Sequence, residues 1–434
     1  MFCQIDYGYY SNQMTEKLLQ YIWQFQLFNK VNIQTIDAKE LIIIHPGNGN
    51  SNQGPDFLNG KINYDNAIWF GNIELHVHST EWRLHQHSKD DNYKNIILHV
   101  VWNHDEDLGL PFPTLELKSL VPKLLLDRYK SLLTQNLFIP CEQNVSIVNR
   151  IVIEKWKERL LVERLQKKAV YIEDLLKNNN YNWEETFWWM LARGFGGDIN
   201  GEAFEQIAKS IPFRIFLKHS NAPIQVEALL MGQGGLLKED SQELFPNQLK
   251  HEYVFLKNKY LFKPPKISLL FLRMRPSNFP TIRLSQLASL ICKKRNFFSE
   301  IVELNTVENA ESYFDLEASE YWDNHYCFNQ WSATLKKRLG RNSISHIIIN
   351  TIVPMIYAYG YINHNQKYLL KSIRILEQMK SEKNKIVDGF LNVGVEVKSA
   401  FDSQSFIQLK KEYCNQKKCL ECSIGHAIFK DAKK

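Results

Sequence analysis

The chain has 434 residues, of which 44% are apolar and 23% charged, with a net charge of +6. That balance is the composition of a soluble globular protein, and the length predicts two or three domains rather than one core. No run of about 18 apolar residues occurs, so no spanning helix is predicted; Ile347–Ile362 comes closest but is shorter and carries Asn350 and Pro354.

The opening MFCQIDYGYY lacks the basic and apolar regions of a secretory signal. A cytoplasmic location is the default expectation, with the seven cysteines reduced unless a metal holds them. Met14–Phe28 (MTEKLLQYIWQFQLF) repeats apolar residues at helical period, with Thr15 at its N-terminus. Leu41–His45 is a short β-rich run closed by Pro46 and Gly47. Phe57–Tyr64 alternates apolar and polar residues as a half-buried strand does; Ile68–Val77 is a further strand, and Asn95–Trp102 (NIILHVVW) reads as a buried one. Ser79–Tyr93 between them is polar and predicts a loop or short helix. The order is helix, three strands, a connecting segment, then a fourth strand.

Beyond Cys141 the character changes. Arg150–Lys177 predicts a long charged amphipathic helix, with pairs such as Glu163 and Lys167 one turn apart. Asn182–Leu191, Gly201–Ser210, Gln225–Met231, Pro280–Lys293 and Tyr368–Lys383 also read as helices, and strand signals are few. A boundary between Leu120 and Arg150 is expected, giving an α/β domain over 1–135 and a mainly helical domain over 136–434 that ends in a cysteine cluster. No repeat of fixed period is present.

The chemistry-bearing residues concentrate in two places. Seven of the thirteen histidines fall between His45 and His104, and His76, His78, His85 and His87 crowd into twelve positions. Side chains two apart on a strand share a face, so Glu74, His76 and His78 project together. A hairpin could set Asp56, at the start of its strand after a Gly/Asn-rich loop, beside them. Carboxylates with imidazoles make a site for Mg²⁺ or Mn²⁺, with Zn²⁺ as the further candidate. Histidines on strands also serve as hydrogen-bond donors that bind nothing; His99, alternating within a buried strand, is expected to be a core residue of that kind.

Pro55–Asp56, followed by Glu74-Leu75-His76, resembles the PD-(D/E)XK nuclease pattern over residues 14–105, and that superfamily's core runs helix, three strands, helix, strand. The resemblance implies that Asp56 and Glu74 bind the divalent ion and that His76 stands in place of the usual lysine. Histidine lacks a permanent positive charge at pH 7, though it can act as base or ligand. The phrases GPDF (54–57), IELHVHSTEW (73–82), HQHSKDDNY (85–93), ILHVVW (97–102), GFGGDINGEAF (194–204), EALLMGQGGLL (227–237), RMRPSNFPTIRLSQLA (273–288) and CLECSIG (419–425) resemble, along nearly the whole chain, a bacterial family catalogued as a domain of unknown function. That likeness implies no activity.

The second concentration is CNQKKCLECSIGH, where Cys414, Cys419 and Cys422 stand at spacings that let thiolates converge on one ion or cluster. His426 would complete a zinc site; Cys141 is the alternative fourth ligand. Some helicase-linked PD-(D/E)XK nucleases are similar, with one distant and three C-terminal cysteines around an iron–sulfur cluster, though at different spacing. Lys257 to Arg295 holds ten Lys/Arg and no Asp or Glu, which suits an anionic partner or a solvated face with acids folded against it. Within it Lys266, Arg273, Arg275 and Arg283 are candidate nucleic-acid contacts, Pro280 opens a helix, and the arginines could equally pair with buried carboxylates. GFGGDINGEAF lacks nucleotide-loop spacing and reads as a turn capping a helix, and Trp188–Trp189 reads as core.

The function these readings favour is metal-dependent cleavage of a DNA or RNA phosphodiester. Asp56 and Glu74 would bind the ion, His76 would assist proton transfer, and His78, His85, His87 and Asp90 would support or orient. The alternatives are a non-catalytic, metal-stabilised nucleic-acid-binding or scaffold protein, and a zinc-dependent hydrolase of small molecules.

Overall fold

The structure, a computed structural model, describes residues 14–50, 52–134, 137–294, 296–304 and 306–431. The opening MFCQIDYGYY and Arg295 of the basic stripe lie outside these described residues. The chain forms two compact units: Met1–Trp156 with Asn392–Val395 and Leu409–Lys434, and Lys157–Leu391 with Glu396–Gln408. The division is therefore not one cut near residue 135. The second unit is an insertion in the chain of the first, and the cysteine-bearing C-terminus belongs with the α/β region.

In the first unit, helix α1 (Glu16–Gln24) starts at Thr15, whose hydroxyl accepts from the Leu18 amide at 3.2 Å, and it buries Leu18, Leu19, Tyr21, Ile22 and Trp23. Strands β1 (Leu41–His45), β2 (Asn48–Gly49), β3 (Phe57–Tyr64), β4 (Ala67–His78), β5 (Ile96–Asn103) and β6 (Thr114–Glu116) form one mixed sheet in the order β1-β3-β4-β5-β6, with β2 beside β3. The β3–β4 hairpin turns on Asp65 and Asn66, both at positive φ, a conformation that matches the strands' twist. Strands β4, β5 and β6 are mutually parallel, so the chain must cross over after His78. It does so through a short helix α2 (Glu81–Leu84) and the turns His87–Lys89 and Asp91–Tyr93. The crossover is pinned at its start: Ser79 Oγ donates to Asp105 Oδ1 at 2.7 Å and the Thr80 amide to the same oxygen at 3.0 Å.

All of β5 except Asn103 is buried, as its unbroken apolar run requires when both faces are covered. Helix α3 (Lys123–Thr134) follows the sheet, and Arg128 Nη1 donates to the Ile428 carbonyl at 2.9 Å, fastening the C-terminal helix Ser423–Asp431. Helix α4 (Arg150–Lys177) begins in the first unit and ends in the second.

The second unit is largely helical. Pro280–Lys293 has the bounds its sequence predicts, and Gln225–Met231 lies within Pro223–Gln233. Asn182–Leu191 and Gly201–Ser210 are parts of one element, Trp183–Lys209, broken at Gly197 with φ +62°, so the glycine pair is a bend between helices. Trp188 is fully buried among Phe213 and Phe216, as a core residue should be. Buried Glu227 accepts from the Trp322 indole at 2.6 Å and the Ser319 hydroxyl at 3.2 Å, which satisfies a carboxyl group inside an apolar core.

The approach of β4 to its neighbours depends on Gly71. A Cβ there would meet the Asn95 carbonyl oxygen and Ile97 Cγ2, each at 2.5 Å, and Gly60 lies opposite on β3. Backbone cannot yield as a side chain tip can. Gly71→Ala should destabilise the protein by about 1–3 kcal/mol, the usual range for overpacking, read as a lower urea midpoint; an unchanged midpoint would show that the strands are not in close contact there.

Candidate functional site

Glu74 and His76 sit side by side on one face of β4, 5% and 1% exposed. The hairpin register sets Phe57 opposite Ile73, which brings Asp56 to Glu74. The Asp56 amide donates to Glu74 Oε2 at 3.0 Å, the Leu75 amide donates to Asp56 Oδ2 at 3.1 Å, and Gln20 of α1 donates to Asp56 Oδ1 at 2.8 Å. The two carboxylates are thus locked by reciprocal backbone bonds and a helix side chain. The crossover then folds back over β4 and delivers His85 and His87.

The result is a tight polar group. His87 Nε2 lies 3.3 Å from His76 Nε2 and 3.3 Å from Glu74 Oε1, while His76 Nε2 is 3.7 Å from that same oxygen. One nitrogen each from His76, His85 and His87 lie within 4.8 Å of one another, and among the described residues only these three meet that criterion. His85 is exposed and forms the solvent side. Tyr93 stacks on His87 with ring centres 3.9 Å apart, and Trp82 packs edge-on against His76 and His87. On its far side, His76 Nδ1 is 2.9 Å from Nε2 of fully buried His99. His99 is therefore hydrogen-bonded in the core as expected, and it also orients the ring of His76.

Burial dominates the electrostatics. It pushes Glu74 up to about 9, with the Asp56 carboxylate adding to the effect, and Asp56 up to about 7, with Glu16 adding. Burial, then the neighbouring imidazole His85, lowers His87 to about 4; burial and its histidine neighbours hold His76 far below its ordinary value. At neutral pH His76 and His87 are uncharged, with ring nitrogens turned toward a carboxyl oxygen. Nitrogen lone pairs and a carboxyl oxygen facing one another at 3.3–3.7 Å are a donor set that a divalent cation would satisfy, displacing the proton that Glu74 otherwise holds.

Not every candidate joins this group. His78, at the end of β4, turns to Asp105 at 3.8 Å, and its side chain is 37% exposed. Asp90 caps the Asp91–Tyr93 turn by accepting from the Asn92 amide at 2.9 Å. In the second unit Lys266, Arg273 and Arg275 are exposed, but Arg283 is 7% exposed and its guanidinium donates to Gln286, Asn278 and Ser343. Arg283 is thus a packing residue with neutral partners, neither a surface contact nor paired with a carboxylate. Gln20, Tyr93 and Trp82 belong to the site without any spacing signal in the sequence.

Among the cysteines, Cys141 approaches the C-terminal three. Burial, then the sulfurs of Cys422 and Cys419, raises Cys141 to about 12; burial, then Cys141, Cys422 and Cys419, raises Cys414. His426 turns away: its Nδ1 is 2.7 Å from the Tyr21 hydroxyl and its ring lies 4.2 Å from that of Phe25.

A family model described as a protein of unknown function (DUF2851) matches residues 16–385. The chain belongs to this family. No curated protein and no solved structure matches it. The DUF2851 span contains the whole carboxylate–histidine group and Cys141, while Cys414, Cys419 and Cys422 lie beyond it. No helix among the described residues is long and apolar enough to cross a membrane.

The raised Glu74 carboxyl makes a signed prediction for chelator-treated protein. Its folded value of about 9 lies above the ordinary 4.5, so its contribution is full below pH 4.5 and is lost as pH rises toward 9. Glu74→Gln removes that ionisation. The melting temperature of Glu74→Gln relative to the parent should rise between pH 5 and pH 9 in chelator, and a difference independent of pH would contradict the buried, proton-holding state.

Proposed function

We propose that the first unit is a divalent-metal-dependent nuclease of the PD-(D/E)XK type in which histidines replace the lysine. The observation that carries the reading is the convergence of Glu74 Oε1, His76 Nε2 and His87 Nε2 at 3.3–3.7 Å, beside an Asp56 locked to Glu74. The order helix, strands, crossover, strand, with Asp56 opening one long strand and Glu74 on the next, supports it. Two carboxylates and three imidazoles suit Mn²⁺ or Zn²⁺ better than Mg²⁺, which prefers oxygen alone.

A divalent ion bound by these groups supplies Lewis acidity toward a phosphate oxygen and lowers the pKa of water in its shell. The residues do the rest. Glu74 and Asp56 give the negative charge that fixes the ion, and Gln20 and the Leu75 amide hold the Asp56 oxygens in place. When His76 donates its Nδ1 proton to His99, its Nε2 lone pair faces the ligand group. A buried neutral His76 brings no positive charge, so the charge a lysine supplies elsewhere has to come from the ion. His85, exposed at the mouth, is the imidazole able to pass protons to solvent.

The three imidazoles with one carboxylate also favour a second reading, a zinc-dependent hydrolase of small molecules. Labelled single- and double-stranded DNA and RNA, incubated with the full chain and Mn²⁺, Zn²⁺ or Mg²⁺, separate the readings. Cleavage is expected with Mn²⁺ or Zn²⁺, with Asp56→Asn and Glu74→Gln each losing it by roughly a hundredfold or more while still folding, the loss typical of a dominant electrostatic group. Full activity in Asp56→Asn would overturn the nuclease assignment. Absence of cleavage with every metal and substrate would leave the hydrolase or a non-catalytic binding protein.

The exposed Lys266, Arg273 and Arg275 support nucleic acid as the partner of the second unit. Binding to duplex DNA or RNA should weaken steeply with salt, and each neutralised cation that touches a phosphate should lower the logarithmic slope by about 0.9. A slope unchanged in the triple alanine variant would make this face ordinary solvated surface.

A further inference from the structure

We infer that Cys141, Cys414, Cys419 and Cys422 ligate an iron–sulfur cluster that fastens the C-terminal segment to the body of the first unit. The inference stands independently of the nuclease reading.

Four free cysteines from two distant stretches meet in one place: Cys141 and Cys414 each lie close enough to Cys419, Cys422 and one another for their sulfurs to interact, and the Cys422 amide donates to the Cys419 carbonyl at 3.4 Å. Cys141, Cys419 and Cys422 are buried and Cys414 is partly covered. The turn between Cys414 and Cys419 is tight: the Lys417 amide donates to the Cys414 carbonyl at 3.1 Å and the Lys418 amide to the Tyr413 carbonyl at 2.9 Å, with Lys417 at φ +52°. Cys422 precedes the helix Ser423–Asp431, and the amides of Ile424 and Gly425 point at its sulfur. Burial raises the Cys422 thiol overall, and these amides oppose that rise and offer hydrogen bonds to a thiolate once metal takes the place of the proton. Gly425 permits this geometry, because a Cβ there would meet the Cys419 carbonyl oxygen at 2.1 Å. The helix start and the Cys419 loop are in close backbone contact, which keeps Cys419 and Cys422 together.

Spacing bears on the kind of centre. Zinc–sulfur bonds of about 2.3 Å put the sulfurs of a tetrahedral ion about 3.8 Å apart. Among the described residues no three cysteine sulfurs come within 4.8 Å of one another. A four-iron cluster, whose irons each take one thiolate at separate corners, spreads four sulfurs wider than a single ion does. His426 is excluded from the set by its bond to Tyr21. Each thiol releases one proton as its sulfur binds iron.

The consequence follows from chain order. The second unit is inserted between Cys141 and Cys414, so the cluster would clamp the points where the chain leaves and re-enters the first unit. Adjacent residues of α1 then serve both centres: Tyr21 meets His426, next to the cysteine loop, and Gln20 meets Asp56.

The test uses full-length protein purified without oxygen. Expected are bound iron with acid-labile sulfide, a brown colour bleached by dithionite, and protection of the four thiols from alkylation under native conditions. Cys141→Ser and Cys419→Ser should lose the colour and most of the iron, whereas His426→Ala should keep both. Stoichiometric zinc without sulfide would overturn the cluster in favour of a single-ion site. Metal-free protein whose four thiols alkylate freely would overturn the site altogether, and both of these outcomes are read on the unsubstituted chain even where the serine variants fail to fold.

Discussion

The parallel pairing of β4 with β5 is the constraint on which the first unit turns. It encloses Glu74, His76 and His99 in a sheet interior where water does not reach, and buried polar groups must then find partners in one another. The neighbouring elements answer most of that demand, leaving His99 Nδ1 without a hydrogen-bond partner among the described residues. The hairpin supplies the Asp56 amide, α1 supplies Gln20 to Asp56, β5 supplies His99, and the crossover supplies His87. The parallel arrangement itself makes the crossover obligatory, and the histidines that complete the group lie on it.

A site built this way is costly as a purely structural device. Two carboxyl groups with raised affinity for protons and the imidazoles of His76, His87 and His99, driven neutral, all lose hydration on folding, and apolar side chains of similar volume would pack the same space without that loss. Perturbed groups gathered at the mouth of an exposed crossover are the usual mark of chemistry or ligand binding. The same reasoning separates this region from the buried polar groups of the second unit. There Lys157 and Asp402 form a complete ion pair at 2.6 Å and Glu227 is bonded by Trp322 and Ser319, so both are satisfied within the protein.

The C-terminal segment changes what counts as a domain. Its helix packs against α3 and against α1 through Phe429, His426 and Tyr21, so the first unit is discontinuous in sequence. A chain that returns to its first unit after an insertion this long closes a large loop, and contacts of high sequence separation bear that entropy. The four cysteines lie where the closure occurs.

How much of this was legible in the residues follows from which forces are local. The alternation of Phe57–Tyr64, the apolar run before Trp102, the helical period after Thr15 and Pro280 at a helix start all report local backbone preference and which face is buried, and those elements formed within a residue or a few of their expected bounds. The pairing of i and i+2 on β4 put Glu74 and His76 on one face for the same reason. The convergence of Asp56 with Glu74 required only a hairpin, a short-range event. What the sequence could not determine was how non-adjacent pieces meet. The match of β4 to β5 selected His99, the back-fold of the crossover took His85 and His87 and left His78 and Asp90 outside, and the packing of helix Pro280–Lys293 turned Arg283 inward. The return of the C-terminus brought Cys141 near the three cysteines and turned the His426 ring to Tyr21. Those outcomes rest on burial and register summed over distant segments, which no local pattern encodes.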